Sequence, residues 1–109
     1  MNRLIISIAV CLLTTISAFA QNLSEAEVTS TMYRAFELHK AKRYAEALDA
    51  FLIVGVNVDP SKSEVERQVY VCSQTMACAC HYSIEQYPEG YQLAKKLIAG
   101  KLADSEKKD

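Results

Sequence analysis

The sequence predicts an all-α protein: two antiparallel helical hairpins preceded by a signal peptide. Three observations carry this. Apolar residues recur at helical spacing through most of the chain after residue 24. Two Ser-x-x-Glu capping boxes, Ser24–Glu27 and Ser63–Glu66, announce helix starts. A short pattern also occurs twice, as RYAEALDAF from Arg43 and QYPEGYQLA from Gln86, with its tyrosines Tyr44 and Tyr87 standing 43 residues apart. A fixed internal spacing of this size is the mark of stacked supersecondary units.

The elements follow in chain order. Residues 1–20 read as a secretory signal peptide. Arg3 is the only charge before Glu25, Leu4 to Leu13 is almost wholly apolar, and Ala18-Phe19-Ala20 supplies small residues for cleavage after Ala20. The apolar run is short for a membrane span, and Thr14, Thr15 and Ser17 dilute it. Val10 before Cys11 argues against a lipid-modified cysteine. Cleavage removes Arg3 and Cys11, leaving 11 Lys+Arg against 13 Asp+Glu and three cysteines. No basic patch dominates, so nucleic acid is excluded as the expected partner. The exported chain is expected outside the cytoplasm, periplasmic or secreted, with no membrane association after cleavage.

Residues 21–103 form the predicted helical domain, with helices over about 24–41, 44–55, 64–86 and 88–99. The first carries the stripe Val28, Met32, Ala35, Phe36 and His39. The second carries Tyr44, Ala47, Leu48, Phe51 and Val54. The β-branched run from Ile53 to Val58 would need a partner strand that the chain does not offer. The third helix shows one stripe of Val65, Val69, Cys72, Met76 and Ala79 and another of Val71, Cys78 and Tyr82, as expected of a helix buried between neighbours. Pro88 suits the first turn of the fourth, whose stripe is Tyr91, Ala94, Leu97 and Ile98, with Gly100 as its C-terminal stop. Residues 104–109 read as a charged tail or as the start of a truncated next helix, because Asp104 or Ser105 before Glu106 resembles a fresh cap. On that reading the chain is the N-terminal part of a longer repeat protein.

On these residues the first unit resembles a tetratricopeptide repeat, over positions 28–61. Ala35 and Leu38 match the small and bulky positions of the repeat's first helix. Tyr44, Ala47 and Phe51 match the turn tyrosine, the small contact residue and the bulky residue of its second. Asp59-Pro60 resembles the closing Asp-Pro, displaced by one place. Lys42 stands where glycine is usual, and Thr31 where a large residue is common. Over 62–103 the match is thinner: Tyr87, Gly90 and Ala94 take the corresponding positions, with Cys78 and His81 in the preceding helix. The resemblance implies an α-solenoid fragment that recognises a protein or peptide and does no chemistry. Its small residues would let helices approach closely while Tyr and Phe fill the flanks.

Candidate chemistry centres on CACHYSIE, where Cys78, Cys80 and His81 crowd together downstream of Cys72. A zinc site needs several ligands facing one point, yet Cys78 and Cys80 are about 200° apart around a helix. The simpler reading makes Cys72, Cys78 and Cys80 small buried hydrophobes. A Cys78–His81 nucleophile pair would lack an orienting third group and an oxyanion site. Accordingly no catalytic, cofactor or metal residues are expected. Asn22-Leu23-Ser24 fits a glycosylation acceptor pattern. Tyr33, Tyr70, Tyr82 and Tyr91 are the candidate partner-contact residues, as amphipathic rings suit interfaces. The expected function is therefore an exported helical-repeat scaffold for protein or peptide binding, completed by self-association or by further repeats in cis. The alternative is a small extracytoplasmic redox or metal-handling protein using its Cys and His residues.

Overall fold

A computed structural model describes residues 23–108, with side chains described through residue 100. The signal-peptide reading of residues 1–20 lies outside the described residues. Four helices follow one another: α1 (Glu25–Lys40), α2 (Tyr44–Val56), α3 (Glu64–Ser83) and α4 (Tyr87–Lys108), and the described residues contain no strand. Each packs on its neighbour in the chain, α1 on α2, α2 on α3 and α3 on α4.

Local chemistry sets the helix starts. Ser24 Oγ accepts the Glu27 N–H at 3.2 Å, and the Glu27 carboxylate accepts the Ser24 N–H at 3.1 Å, so the first box closes reciprocally. At α3, Ser63 Oγ accepts the Glu66 N–H at 3.1 Å, while the Glu66 carboxylate faces the Asp59 N–H instead, at 3.4 Å.

The two short turns share one hydrogen-bond pattern. After α1, the N–H groups of Ala41, Lys42 and Arg43 donate to Glu37, His39 and Leu38. After α3, those of Ile84, Glu85 and Gln86 donate to Cys80, Tyr82 and His81, every position shifted by 43. Lys42 and Glu85 both adopt the left-handed conformation, at φ 63° and 64°. A ring contact recurs at the same shift: His39 meets Tyr44 at 5.3 Å and Tyr82 meets Tyr87 at 5.8 Å. The echo in the sequence is thus a copied turn, in which Lys42 and Glu85 stand at positions that favour glycine.

The core gathers around α2. Ala35, Leu38, Ala47, Leu48, Ala50 and Phe51 are buried together with Ala77 and Cys80 of α3. The rings of Phe36 and Phe51 meet edge to face, with centroids 5.2 Å apart.

Three expectations are corrected. The stripe expected to bury α3 does not, since Val65, Cys72 and Ala79 are exposed and Val69 and Met76 half-buried. Val71 and Tyr82 of the second stripe are also exposed, with Cys78 half-buried. The buried face is Ser73, Gln74, Ala77 and Cys80. It is possible because Gly55 offers no side chain: a Cβ there would lie 2.0 Å from the Gln74 amide nitrogen and 3.8 Å from Ser73 Oγ. The Ser73 hydroxyl is satisfied by the Tyr70 carbonyl at 2.9 Å. Cys72, about 130° around the helix from the middle of that face, therefore points outward. Finally, Gly100 does not end α4, which runs on through residues 104–106 to Lys108. No glycine takes a positive φ, and Lys101-Leu102-Ala103 are good helix formers that carry the helix past it.

Two substitutions test this packing. Ala47 is fully buried, so Ala47→Arg overpacks the helix contact and buries an unpaired charge, a cost above about 4 kcal/mol. A circular dichroism melt should show no cooperative transition, and a wild-type melt would place Ala47 elsewhere. Lys42→Gly relieves the left-handed turn and should stabilise by about 0.5–1 kcal/mol, raising Tm by several degrees. An unchanged or lowered Tm would contradict the turn geometry.

Candidate functional site

The helix ends determine where a recess forms. Leu23, just before α1, donates its N–H to Asn57 Oδ1 at 3.0 Å, tying the start of α1 to the end of α2. Asn57 Nδ2 in turn donates to the Ile53 carbonyl at 2.8 Å. The connection that follows is folded by Asp59, whose carboxylate accepts both the backbone N–H (2.9 Å) and the hydroxyl (2.6 Å) of Ser61. These links hold the N-terminal turns of α1 and α3 on either side of an open recess of about 720 Å³.

The recess is mainly apolar. Val28, Met32, Tyr33 and Phe36 line it from α1, and Val65 and Val69 from α3. Val65 is 69% exposed and Tyr33 72%, so these are free surfaces rather than edges of the core. Glu25, Lys62 and Glu66 supply charge among the lining residues. The carboxyl of Asp59 is lowered from its ordinary range chiefly by the Ser61 hydroxyl and then by its N–H. That of Glu27, at the cap of α1, is lowered by the Ser24 backbone N–H and then its hydroxyl. Both remain anionic at neutral pH and keep these two turns closed.

The candidate residues read from the sequence fall in separate places. Ala35, Leu38, Ala47 and Phe51 are buried in the core and Tyr44 is half-buried beside it. Gly90 is buried where α4 crosses α3, and a Cβ there would lie 3.2 Å from His81 Cβ and from the Tyr82 ring. Ala94 is half-buried and Tyr87 exposed. Of the four contact tyrosines, Tyr33 lines the recess, while Tyr70, Tyr82 and Tyr91 are not among its lining residues. Tyr70 is half-buried, and Tyr82 and Tyr91 lie exposed on α3 and α4.

The sequence reading missed Val65 and Phe36 as exposed residues, because it assigned them to core stripes; Met32 and Val69 of the same stripes are half-buried, with Met32 packed on the core. No charge pattern pointed to them: the stretch without Asp, Glu, Lys or Arg runs from Gln68 to Ile84 and contains neither Val65 nor Phe36.

The cysteines do not converge. Cys72 is exposed, Cys78 half-buried and Cys80 buried, and all three are free thiols. Burial pushes the thiols of Cys78 and Cys80 up, keeping them protonated at neutral pH. His81 Nδ1 is engaged with the Gln86 amide oxygen at 2.9 Å. Among the described residues no group of three or more His, Cys, Asp and Glu is placed to hold a metal ion, and no helix is long and apolar enough to cross a membrane.

Compared with known proteins, the chain matches no family model, no curated protein and no solved structure.

Thiol labelling tests the orientation of α3. Cys72 should react with a thiol reagent at least tenfold faster than Cys80, which should wait for unfolding. Equal rates at the three sites would contradict the assigned face.

Proposed function

We propose that the chain is an exported helical-repeat scaffold of the tetratricopeptide type, built as two antiparallel hairpins, which binds a protein or peptide segment in the recess between α1 and α3. The observation that supports this most is the apolar lining of the recess, with Tyr33, Phe36 and Val65 exposed, Met32 and Val69 half-buried and Val28 buried among them. Scattered exposed apolar residues are ordinary, but a contiguous patch in a concave site is a docking surface by its chemistry. The copied turns and the close contacts at Ala47 and Gly90 support the repeat reading.

An apolar side chain of a partner would insert between the two walls, with Tyr33 flanking it. Glu25, Lys62 and Glu66 would then select polar groups at the rim. The alternative redox or metal role gains less support, since Cys72 and Cys80 face opposite environments and the two inner thiols are held protonated.

Selection of peptides from a random displayed library on the exported chain tests this reading. Enriched peptides should share apolar anchors, and Val65→Arg should weaken their binding at least tenfold, about 1.4 kcal/mol. Val65 is exposed, so the variant keeps the fold and its helical dichroism should be unchanged. Peptides that bind the variant as well as the wild type would place recognition elsewhere.

A further inference from the structure

The recess between α1 and α3 is charged at one end only. Its α1 wall runs from Glu25 to Phe36, about 16 Å of helix. The charged lining residues Glu25, Lys62 and Glu66 all belong to the starts of α1 and α3. The Leu23 to Asn57 and Asp59 to Glu66 hydrogen bonds link those starts through the end of α2. Met32, Tyr33, Phe36 and Val69 line the rest without a charge.

The cations at the charged end are already engaged. Arg67 pairs with Glu64 at 3.2 Å. Lys62 stands close enough to Asp59 to help hold its carboxyl below the ordinary range, after the Ser61 hydroxyl and N–H. Glu25 and Glu66 therefore have no basic partner among the described residues. The two helix N-termini add about half a positive charge each. That does not offset the excess of Glu25, Glu27, Asp59, Glu64 and Glu66 over Lys62 and Arg67.

We propose that the recess selects a peptide segment with an apolar anchor at one end and a lysine or arginine at the other, the anchor lying among Tyr33, Phe36 and Val69 and the cation beside Glu25 and Glu66. This specificity rests on the recess being the docking surface proposed above. A carboxylate in place of the cation would meet uncompensated like charge, so acidic segments are rejected. Glu25 is exposed and Glu66 half-buried, so each acts more by attraction at a distance than by tight pairing. The preference therefore weakens as salt is raised.

The test pans a displayed library of random peptides on the exported chain and on its Glu25→Gln, Glu66→Gln double variant. Glutamine at 66 keeps an oxygen for the Asp59 N–H, so helical dichroism should be unchanged. The wild type should enrich apolar anchors together with Lys or Arg at one end. The double variant should keep the anchors and lose the basic bias. A fluorescent copy of one enriched peptide should bind the double variant about fivefold more weakly by anisotropy. Replacing its basic residue by glutamine should cost the wild type about the same and the double variant little. Peptides that lose binding to Val65→Arg but show no basic bias, or that bind the double variant equally well, overturn the specificity and leave the docking surface standing. Binding indifferent to Val65→Arg, or no enrichment at all, removes the docking surface and the specificity with it. Self-association of the chain abolished by Val65→Arg would give the recess to a second copy, and likewise overturns the proposal.

Discussion

The contact between α2 and α3 at Gly55 governs the rest of the structure. A helix normally buries its most apolar face, and α3 has an apolar stripe available in Val65, Val69, Cys72 and Met76. It buries Ser73, Gln74, Ala77 and Cys80 instead. The reason is steric. Gly55 lets the Gln74 side chain lie flat on the backbone of α2, and the small residues beside it allow the two helices to approach closely. Ser73 is already satisfied by the Tyr70 carbonyl, so burying its hydroxyl leaves no unpaired group. With that face spent on the core, Val65 is left exposed and Val69 half-buried, while Met76 still packs partly on the core. Across from Val28, Met32 and Phe36, Val65 and Val69 form the other wall of the recess. The proposed binding surface is thus a consequence of how the core is packed.

The copied turn explains both the regularity and its limits. Both turns close through the same three hydrogen bonds and a left-handed residue, which fixes how each following helix leaves. Side-chain packing is less evenly shared. Ala35, Leu38 and Phe51 are buried, whereas Cys78, His81 and Ala94 at the matching positions are half-buried. α2 lies between two helices, α1 and α3, while α4 packs on α3.

Much of this was legible in the sequence. The capping boxes, the helical spacing and the doubled Tyr-x-x-small pattern gave four helices and the site of each turn, because these are local effects of backbone bonding and side-chain size. The burial of α3 was not legible. Periodicity ranks faces by hydrophobicity, and here a glycine on another helix outweighed that ranking. Cys72 was misplaced for the same reason. Gly100 misled because a glycine can either stop a helix or cost it about 1 kcal/mol and be carried along, and only the conformation distinguishes the two. The recess was half visible: Tyr33 was singled out from its chemistry, but its neighbours were hidden among the supposed core residues.

The central claim is that α3 meets α2 through its small, weakly polar stripe. Nuclear Overhauser contacts in the labelled protein read this directly. The account predicts contacts from the Gln74 side-chain amide to the Gly55 α-protons, and none from the Val65 methyls to α2. Strong contacts between the Val65 and Val69 methyls and the buried residues Phe51 and Val54, with Gln74 in solvent, would contradict it.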